Sequence, residues 1–362
     1  DDTQLPGSLR ENGLGSIPSP DTKWIGAVKA SEWDKPQYAP YRTADNFKMP
    51  FWLQPTRHYV GPAWFQRTVE IPEAWAGKRI VLRLERPHWH TTVWVDAQSL
   101  GACDSLSTAH VYDASEALTP GRHRLSIRVE NSLVPLNVGP NAHSVSDQTQ
   151  SAWNGIVGQL VLQASAPVWI ENVQVYPDIT RKTARLVIQT GNRTGEVAAG
   201  TIAFGVRPML TDQPDSPTAS VEQHIDVPAE GGEHSVELSL GPSVLLWDEF
   251  TPHRYALSAT LRSRHGEDRA VETFGMREVT TRGSQIVVNG RPVFLRGTLE
   301  CCIFPLSGYP PTDVASWKRI LEVCRAYGLN HMRFHSWCPP EAAFEAADEL
   351  GFYFQVECST WP

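Results

Sequence analysis

The 362-residue chain has no basic excess, no CxxC pair, no long apolar run and no internal repeat. Each absence removes a class of function. Lys and Arg number 32 against 40 Asp and Glu, giving a formal net charge of −8 and a pI near 5.9. The basic footprint that nucleic acid or an anionic membrane surface requires is therefore missing. No stretch stays apolar for the ~18 residues that a helical bilayer span needs. The cysteines (Cys103, Cys301, Cys302, Cys324, Cys338 and Cys358) lack the paired spacing of a zinc ribbon. The chain starts Asp1-Asp2-Thr3, with neither Met nor an apolar leader. That start fits a mature exported protein, periplasmic or secreted, after signal removal, or a shortened chain.

What is present is a succession of patterns. The length predicts two or three domains. The 13 Trp suit stacking on sugar C–H faces but are equally large core residues, so alone they decide nothing. Residues 1–63 mix Pro, Gly and Asn with isolated aromatics, which predicts an irregular arm packed on a first β-sandwich. From 64 to 166 short apolar/polar alternations (Val81–Glu85, Thr91–Val95, Arg124–Val129) predict antiparallel strands closed as that sandwich, of jelly-roll type. Pro120-Gly121 is a turn signal, because Pro presets φ and Gly accepts positive φ. From 167 to 281 seven short strands are expected: Trp169–Val175, Ala184–Gln189, Gly200–Val206, Val221–Val227, His234–Leu240, Tyr255–Leu261 and Ala270–Phe274. Seven strands in about a hundred residues predict an immunoglobulin-like sandwich. The polar segment Thr211–Thr218 reads as a loop within it.

From 282 to 362 the period changes. Strand runs at Pro292–Leu299, Asn330–Phe334 and Gly351–Val356 alternate with helical periodicity, a βαβαβ series. In the first helix Val314, Trp317, Ile320, Leu321 and Cys324 share a face, with Thr312 or Asp313 as N-cap and Gly328 as stop. The second helix comes after Pro339-Pro340, runs from Glu341 to Leu350 and turns Ala343, Phe344, Ala347 and Leu350 inward. Parallel strands need both faces covered, so the expectation is that this sheet continues beyond residue 362. Cys301, Cys302, Cys338 and Cys358 come after the three strands and converge at one end, as buried thiols, a disulfide, or a metal or redox centre. Cys324 reads as inert helix packing.

Several motifs occur in one fixed order. They are Gly61-Pro62-Ala63-Trp64-Phe65-Gln66-Arg67, Gly77-Lys78-Arg79, Thr92-Val93-Trp94-Val95-Asp96, Trp153-Asn154-Gly155-Ile156 and Leu246-Trp247 with Pro252-His253-Arg254-Tyr255. Then come Phe274-Gly275-Met276-Arg277-Glu278, Val288-Asn289-Gly290-Arg291-Pro292, Leu295-Arg296-Gly297, Asn330 to Pro339, and Ala346-Ala347-Asp348-Glu349-Leu350-Gly351. The series resembles glycoside hydrolase family 2, which includes β-galactosidases, β-glucuronidases and β-mannosidases. The resemblance implies a multi-domain β plus α/β fold: a sugar-binding-type jelly roll, an immunoglobulin-like sandwich, then the first units of a (β/α)8 TIM barrel.

Barrel active sites lie at the C-terminal ends of the strands. Those positions here are Glu300 and Cys301, then Arg333, His335 and Trp337, then Glu357 and Trp361. Charged groups there take sugar hydroxyls and Trp takes the ring face. Arg333 is equally readable as a structural partner of Glu357 or Glu300, and Trp337 as a core aromatic. Asp147, in the His143–Thr149 segment, matches the place of a sugar-reaching acidic residue in relatives and is otherwise a surface-loop Asp. His88-Trp89-His90 has metal-ligand types but no third ligand, so it reads as packing or sugar contact.

The resemblance implies an exo-acting retaining β-glycosidase of β-galactoside or β-glucuronide type. Its two catalytic Glu lie beyond this chain, so no catalytic residue is assigned within residues 1–362 and the segment alone is expected to be inactive. The expected partner is a carbohydrate; no cofactor and no metal is implied, and a homo-oligomer is allowed. Glu300-Cys301-Cys302 and His335-Ser336-Trp337-Cys338 depart from the family pattern, which leaves the sugar and linkage open. The rival readings are a non-catalytic carbohydrate-binding scaffold on the same architecture, or a glycosidase for another sugar or linkage.

Overall fold

The computed structural model describes residues 2–25, 33–49, 54–132, 138–139, 142–147, 152–209 and 219–360. The Thr211–Thr218 loop and Trp361 fall outside the described residues.

The first sandwich pairs a four-stranded antiparallel sheet with a three-stranded one. The larger has the order Pro62–Ile71, Gly121–Glu130, His90–Val95, Gln98–Cys103; the smaller has Leu160–Ser165, Arg79–Leu84, His110–Asp113. Alternation sets the two faces: His90–Val95 buries every second residue, so Thr91, Val93 and Val95 enter the core while Thr92 and Trp94 face out. Phe65, Ile80, Leu82, Leu84, Ile127 and Val129 complete that core. Among its described residues the N-terminal arm carries the Gly7–Ser8 strand and the 3-10 helix Pro36–Tyr41. Gly7–Ser8 pairs with Gly155–Ile156, and a Cβ on Gly155 would lie 2.4 Å from the Gly7 carbonyl oxygen, so only glycine lets the arm close there.

Among the described residues, the second sandwich has the seven strands its alternation implied. Val168–Asp178, Thr183–Asn192 and Gly232–Ser239 form one sheet; Ala219–Val227, Ala198–Pro208, Tyr255–Ser263 and Gly266–Phe274 form the other. Leu186, Ile188, Ile202, Phe204, Leu257 and Leu261 interdigitate between them.

The C-terminal unit is a parallel three-stranded sheet. Its strands are Gly297–Glu300, His331–Phe334 and Tyr353–Val356, joined by helices α1 (Val314–Ala326) and α2 (Glu341–Leu350). The Asp313 carboxylate caps α1 by accepting the Ser316 amide at 2.8 Å. Gly351, at φ +71°, closes α2.

Two expectations are corrected here. The first parallel strand starts at Gly297, not Pro292, because Arg291–Pro292 is drawn into a small antiparallel sheet with Val287–Val288. Phe344 does not point inward but is 37% exposed. The buried face of α2 is Ala342, Ala343, Ala346 and Ala347, small residues that let α2 approach the sheet closely, and the Phe344 ring lies edge-on to Phe354 instead.

The two sandwiches meet this unit at opposite ends of its strands. Trp247, Glu249 and Arg254 of the immunoglobulin-like sandwich touch Asp348, Asn330 and Glu349, around the N-terminal ends. The first sandwich touches His335, Cys338 and Glu341, beyond the C-terminal ends.

Candidate functional site at the C-terminal ends of the parallel strands

Parallel register sets the rim. Glu300 lies opposite Phe334 and Phe334 opposite Val356, so the residues after each strand emerge side by side. Within the second strand Met332 and Phe334 are buried while Arg333 is turned to the other face. Arg333 Nε donates to Glu357 Oε1 at 2.5 Å, and Ser336 Oγ donates to Glu357 Oε2 at 3.1 Å. Burial alone pushes the Glu357 carboxyl up, but the Arg333 and Ser336 hydrogen bonds and the Arg333 charge together outweigh it. Its pKa falls below the usual carboxylate range, so this rim carries a paired carboxylate and guanidinium, both partly open to solvent.

His335 is fixed by its backbone, whose amide donates to the Glu300 carbonyl at 2.8 Å. Its ring meets an imidazole from the first sandwich: His143 Nδ1 lies 3.0 Å from His335 Nδ1 and 2.8 Å from the His335 carbonyl oxygen. Burial holds His143 below the ordinary histidine range, outweighing the hydrogen bond to the His335 carbonyl, which acts the other way. Cys301 Sγ lies 3.9 Å from His335 Nδ1. Burial raises the Cys301 thiol pKa, and its neighbour Cys302, fully enclosed at φ +57°, is raised much further. All six cysteines are free, so the converging thiols form no disulfide.

The remaining expected residues sit behind this rim. Glu300 turns onto its own loop, accepting the amides of Cys302 at 2.8 Å and Ile303 at 3.1 Å, and burial raises its pKa. Trp337 is 3% exposed and packed among Phe304, Trp317 and Phe334, which leaves no ring face open to a ligand. Asp147 is not a surface-loop residue: it is fully buried, accepts the amides of Ile25 (2.7 Å) and Ala152 (3.2 Å), and contacts His58 Nε2 at 3.1 Å. With both oxygens engaged it ties the N-terminal arm to the loop that carries His143. His88 is also a packing residue, stacked on Trp153 and flanked by the Trp153 and Ser144 carbonyls.

Two contributors were not read from the sequence. His143 stands four residues before Asp147, and nothing periodic in a loop reveals which side chain crosses to another unit. Arg86, at φ +51°, donates from Nη2 to the Cys338 carbonyl at 2.6 Å and holds the loop after His335 against the first sandwich. Among the described residues, His143, Cys301 and His335 also form a group able to hold a metal ion, their ligand atoms all within 4.8 Å of one another.

Comparison with known proteins agrees with the order of the two β-sandwiches. Residues 21–165 match the sugar binding domain of glycosyl hydrolases family 2, and residues 168–277 match a second model described as glycosyl hydrolases family 2. A β-galactosidase of Arthrobacter sp. (strain B7) is 26% identical over 347 residues, covering 93% of this chain and 31% of that protein. The human β-glucuronidase is 22% identical over 340 residues, covering 83% of this chain and 48% of that protein. The chain thus spans between about a third and a half of these curated relatives. Among solved structures, a family 2 member from Bacteroides cellulosilyticus superposes with TM-score 0.71 at 19% identity, over 99% of this chain and 42% of its own. The Bacteroides uniformis β-glucuronidase gives TM-score 0.68 at 20% identity, over 83% and 36%. With both domains matched in order, the chain belongs to glycoside hydrolase family 2.

Proposed function

We propose that this chain is the N-terminal part of an exo-acting retaining β-glycosidase that removes terminal sugars of β-galactoside or β-glucuronide type. The parallel βαβαβ unit is the opening of its (β/α)8 barrel. The observation that carries this reading is the convergence of Arg333, Glu357 and His335 at the C-terminal ends of the strands, met there by His143 of the sugar-binding domain. A partly open guanidinium–carboxylate pair offers both donors and acceptors to adjacent hydroxyls, and in β-glucuronide substrates the guanidinium can also take a carboxylate. The names of the relatives, β-galactosidase and β-glucuronidase, support the same two substrate types.

In this reading Arg333, Glu357 and His335 hold the terminal sugar, while Glu300, Trp337 and Asp147 position the loops around it. The bond is broken by two glutamates about 5 to 5.5 Å apart supplied by the rest of the barrel. One attacks the anomeric carbon; the other protonates the leaving oxygen and then activates water. The test is a panel of nitrophenyl glycosides with the full-length protein, the first-formed anomer being read by proton NMR. Retained β configuration is expected, and inverted product contradicts the proposal. Sugar binding without turnover on any glycoside would favour a non-catalytic carbohydrate-binding scaffold.

A further inference from the structure

We propose that His143, His335 and Cys301 bind a divalent transition-metal ion, zinc above all, which clips the first sandwich to the end of the parallel sheet. The donor set is two imidazoles and a thiol, the combination that suits a borderline-soft cation and not calcium or magnesium. The geometry is close to what such an ion demands. With Zn–N and Zn–S bonds of about 2.0–2.1 and 2.3 Å, tetrahedral ligands stand roughly 3.3 Å apart for N and N, and roughly 3.6 Å for N and S. The observed separations are 3.0 Å between the two Nδ1 atoms and 3.9 Å from Cys301 Sγ to His335 Nδ1, each within a few tenths of an ångström of those values, while His143 and Cys301, whose ligand atoms lie within 4.8 Å, close by up to about an ångström when an ion is bound.

The ligands come from three places in the chain, and each is already held. The backbone of His335 is pinned to Glu300, and the Glu300 carboxylate grips the amides of Cys302 and Ile303 on the far side of Cys301. His143 lies in the short loop that buried Asp147 fastens to the arm. Little ordering remains to be done when an ion arrives. Cys301 and His335 are only partly enclosed, which leaves an entry path and room for a water or a substrate hydroxyl as fourth ligand. Glu357 lies close enough to act electrostatically on both His143 and Cys301, and its negative charge favours a cation there.

Without metal, His143 Nδ1 carries a proton that it donates to the His335 carbonyl at 2.8 Å, with His335 Nδ1 facing it at 3.0 Å. The ion takes that proton's place: it leaves the Nδ1 position for the far ring nitrogen or for water, the Cys301 thiol releases its own proton, and two Nδ1–metal bonds and one thiolate–metal bond form. Metal binding needs no turnover, so this proposal stands or falls apart from the glycosidase reading.

The test uses the untagged full-length protein, stripped with a chelator and titrated with cobalt(II) and then zinc. Expected are one equivalent of metal per chain, a thiolate-to-cobalt charge-transfer band, and displacement of cobalt by zinc. C301S should abolish that band, and H143Q should abolish stoichiometric retention through gel filtration, whereas C358S should change neither. A measurement on the unmutated chain guards against misfolded variants: zinc should protect Cys301, but not Cys358, from alkylation read by mass spectrometry. No retained metal, a charge-transfer band that survives C301S, or alkylation of Cys301 indifferent to zinc would overturn the proposal.

Discussion

At the N-terminal ends of the parallel strands the immunoglobulin-like sandwich inserts Trp247, 1% exposed, whose Nε1 donates to the Asp348 carbonyl at 2.8 Å. Gly351 sits so close that a Cβ would lie 2.8 Å from the Glu249 carbonyl oxygen. At the C-terminal ends the first sandwich instead presents His143, Arg86 and Arg83, and leaves Arg333 and Glu357 partly open. One end is sealed by a large aromatic and a tight glycine; the other is lined with ionisable groups held by carbonyls and amides. Sealing contributes stability by removing apolar area from water. Holding titratable side chains half-buried costs stability, and that cost is tolerated where chemistry is done.

This contrast can be broken from either side. The largest effect is expected at the sealed end: Trp247→Ala should destabilise the chain by about 3–5 kcal/mol, the range for emptying a buried Trp site. The readout is the thermal unfolding midpoint, and an unchanged midpoint would show that the aromatic plug does not brace the unit.

A smaller effect should separate the first sandwich from the rest by pH. His110, fully buried there, lies 2.9 Å from the Ser105 carbonyl through Nε2 and 2.5 Å from the Thr91 hydroxyl through Nδ1, a neutral ring satisfied on both sides. Burial holds its pKa below the ordinary histidine value. The unfolded chain therefore takes up the proton first, so this contribution is complete above about pH 6.5 and is lost progressively below it. His110→Gln should flatten the stability profile over that acid window, as measured by urea unfolding at several pH values; an unaltered slope would remove His110 from the account.

The smallest effect is expected from Arg83→Ala. Its ion pair with Glu341 spans 3.2 Å, but the side chains are 37% and 78% exposed. Exposed pairs contribute about 0–1 kcal/mol, so the midpoint should barely move. A large loss would mean that the first sandwich is held to the β/α unit by charge rather than by Arg86 and His143.

The sequence made the sandwiches legible because period-two alternation is a local signal. Tyr255–Ser263 and Thr183–Asn192 alternate along most of their length, and short connections identify their partners. Local periodicity likewise placed α1, with Asp313 one of its two cap candidates, and the polar strand ends. It failed where tertiary packing decides. Phe344 carries the right apolar character but lies off the alanine face, and Arg291–Pro292 is claimed by a neighbouring hairpin. Asp147 reads as a loop carboxylate because its partners, Ile25 and His58, are distant in sequence. Arg333, His335 and Glu357 stand out in the sequence because they interrupt apolar strands or lie just past their ends. His143 had no such frame, and only the approach of two separate units brings it to His335.

The most direct test compares the two ends in the full-length protein, measuring kcat/KM on a nitrophenyl β-glycoside together with the unfolding midpoint. Arg333→Ala removes a charge-assisted contact of about 1.5–3 kcal/mol and should lower kcat/KM by roughly 10- to 100-fold with little change in midpoint. Arg254→Ala, which breaks the 3.0 Å pair with Glu349 at the sealed end, should lower the midpoint and leave kcat/KM of the folded protein intact. Wild-type kcat/KM in Arg333→Ala would contradict the assignment of the substrate face to the C-terminal ends of these strands.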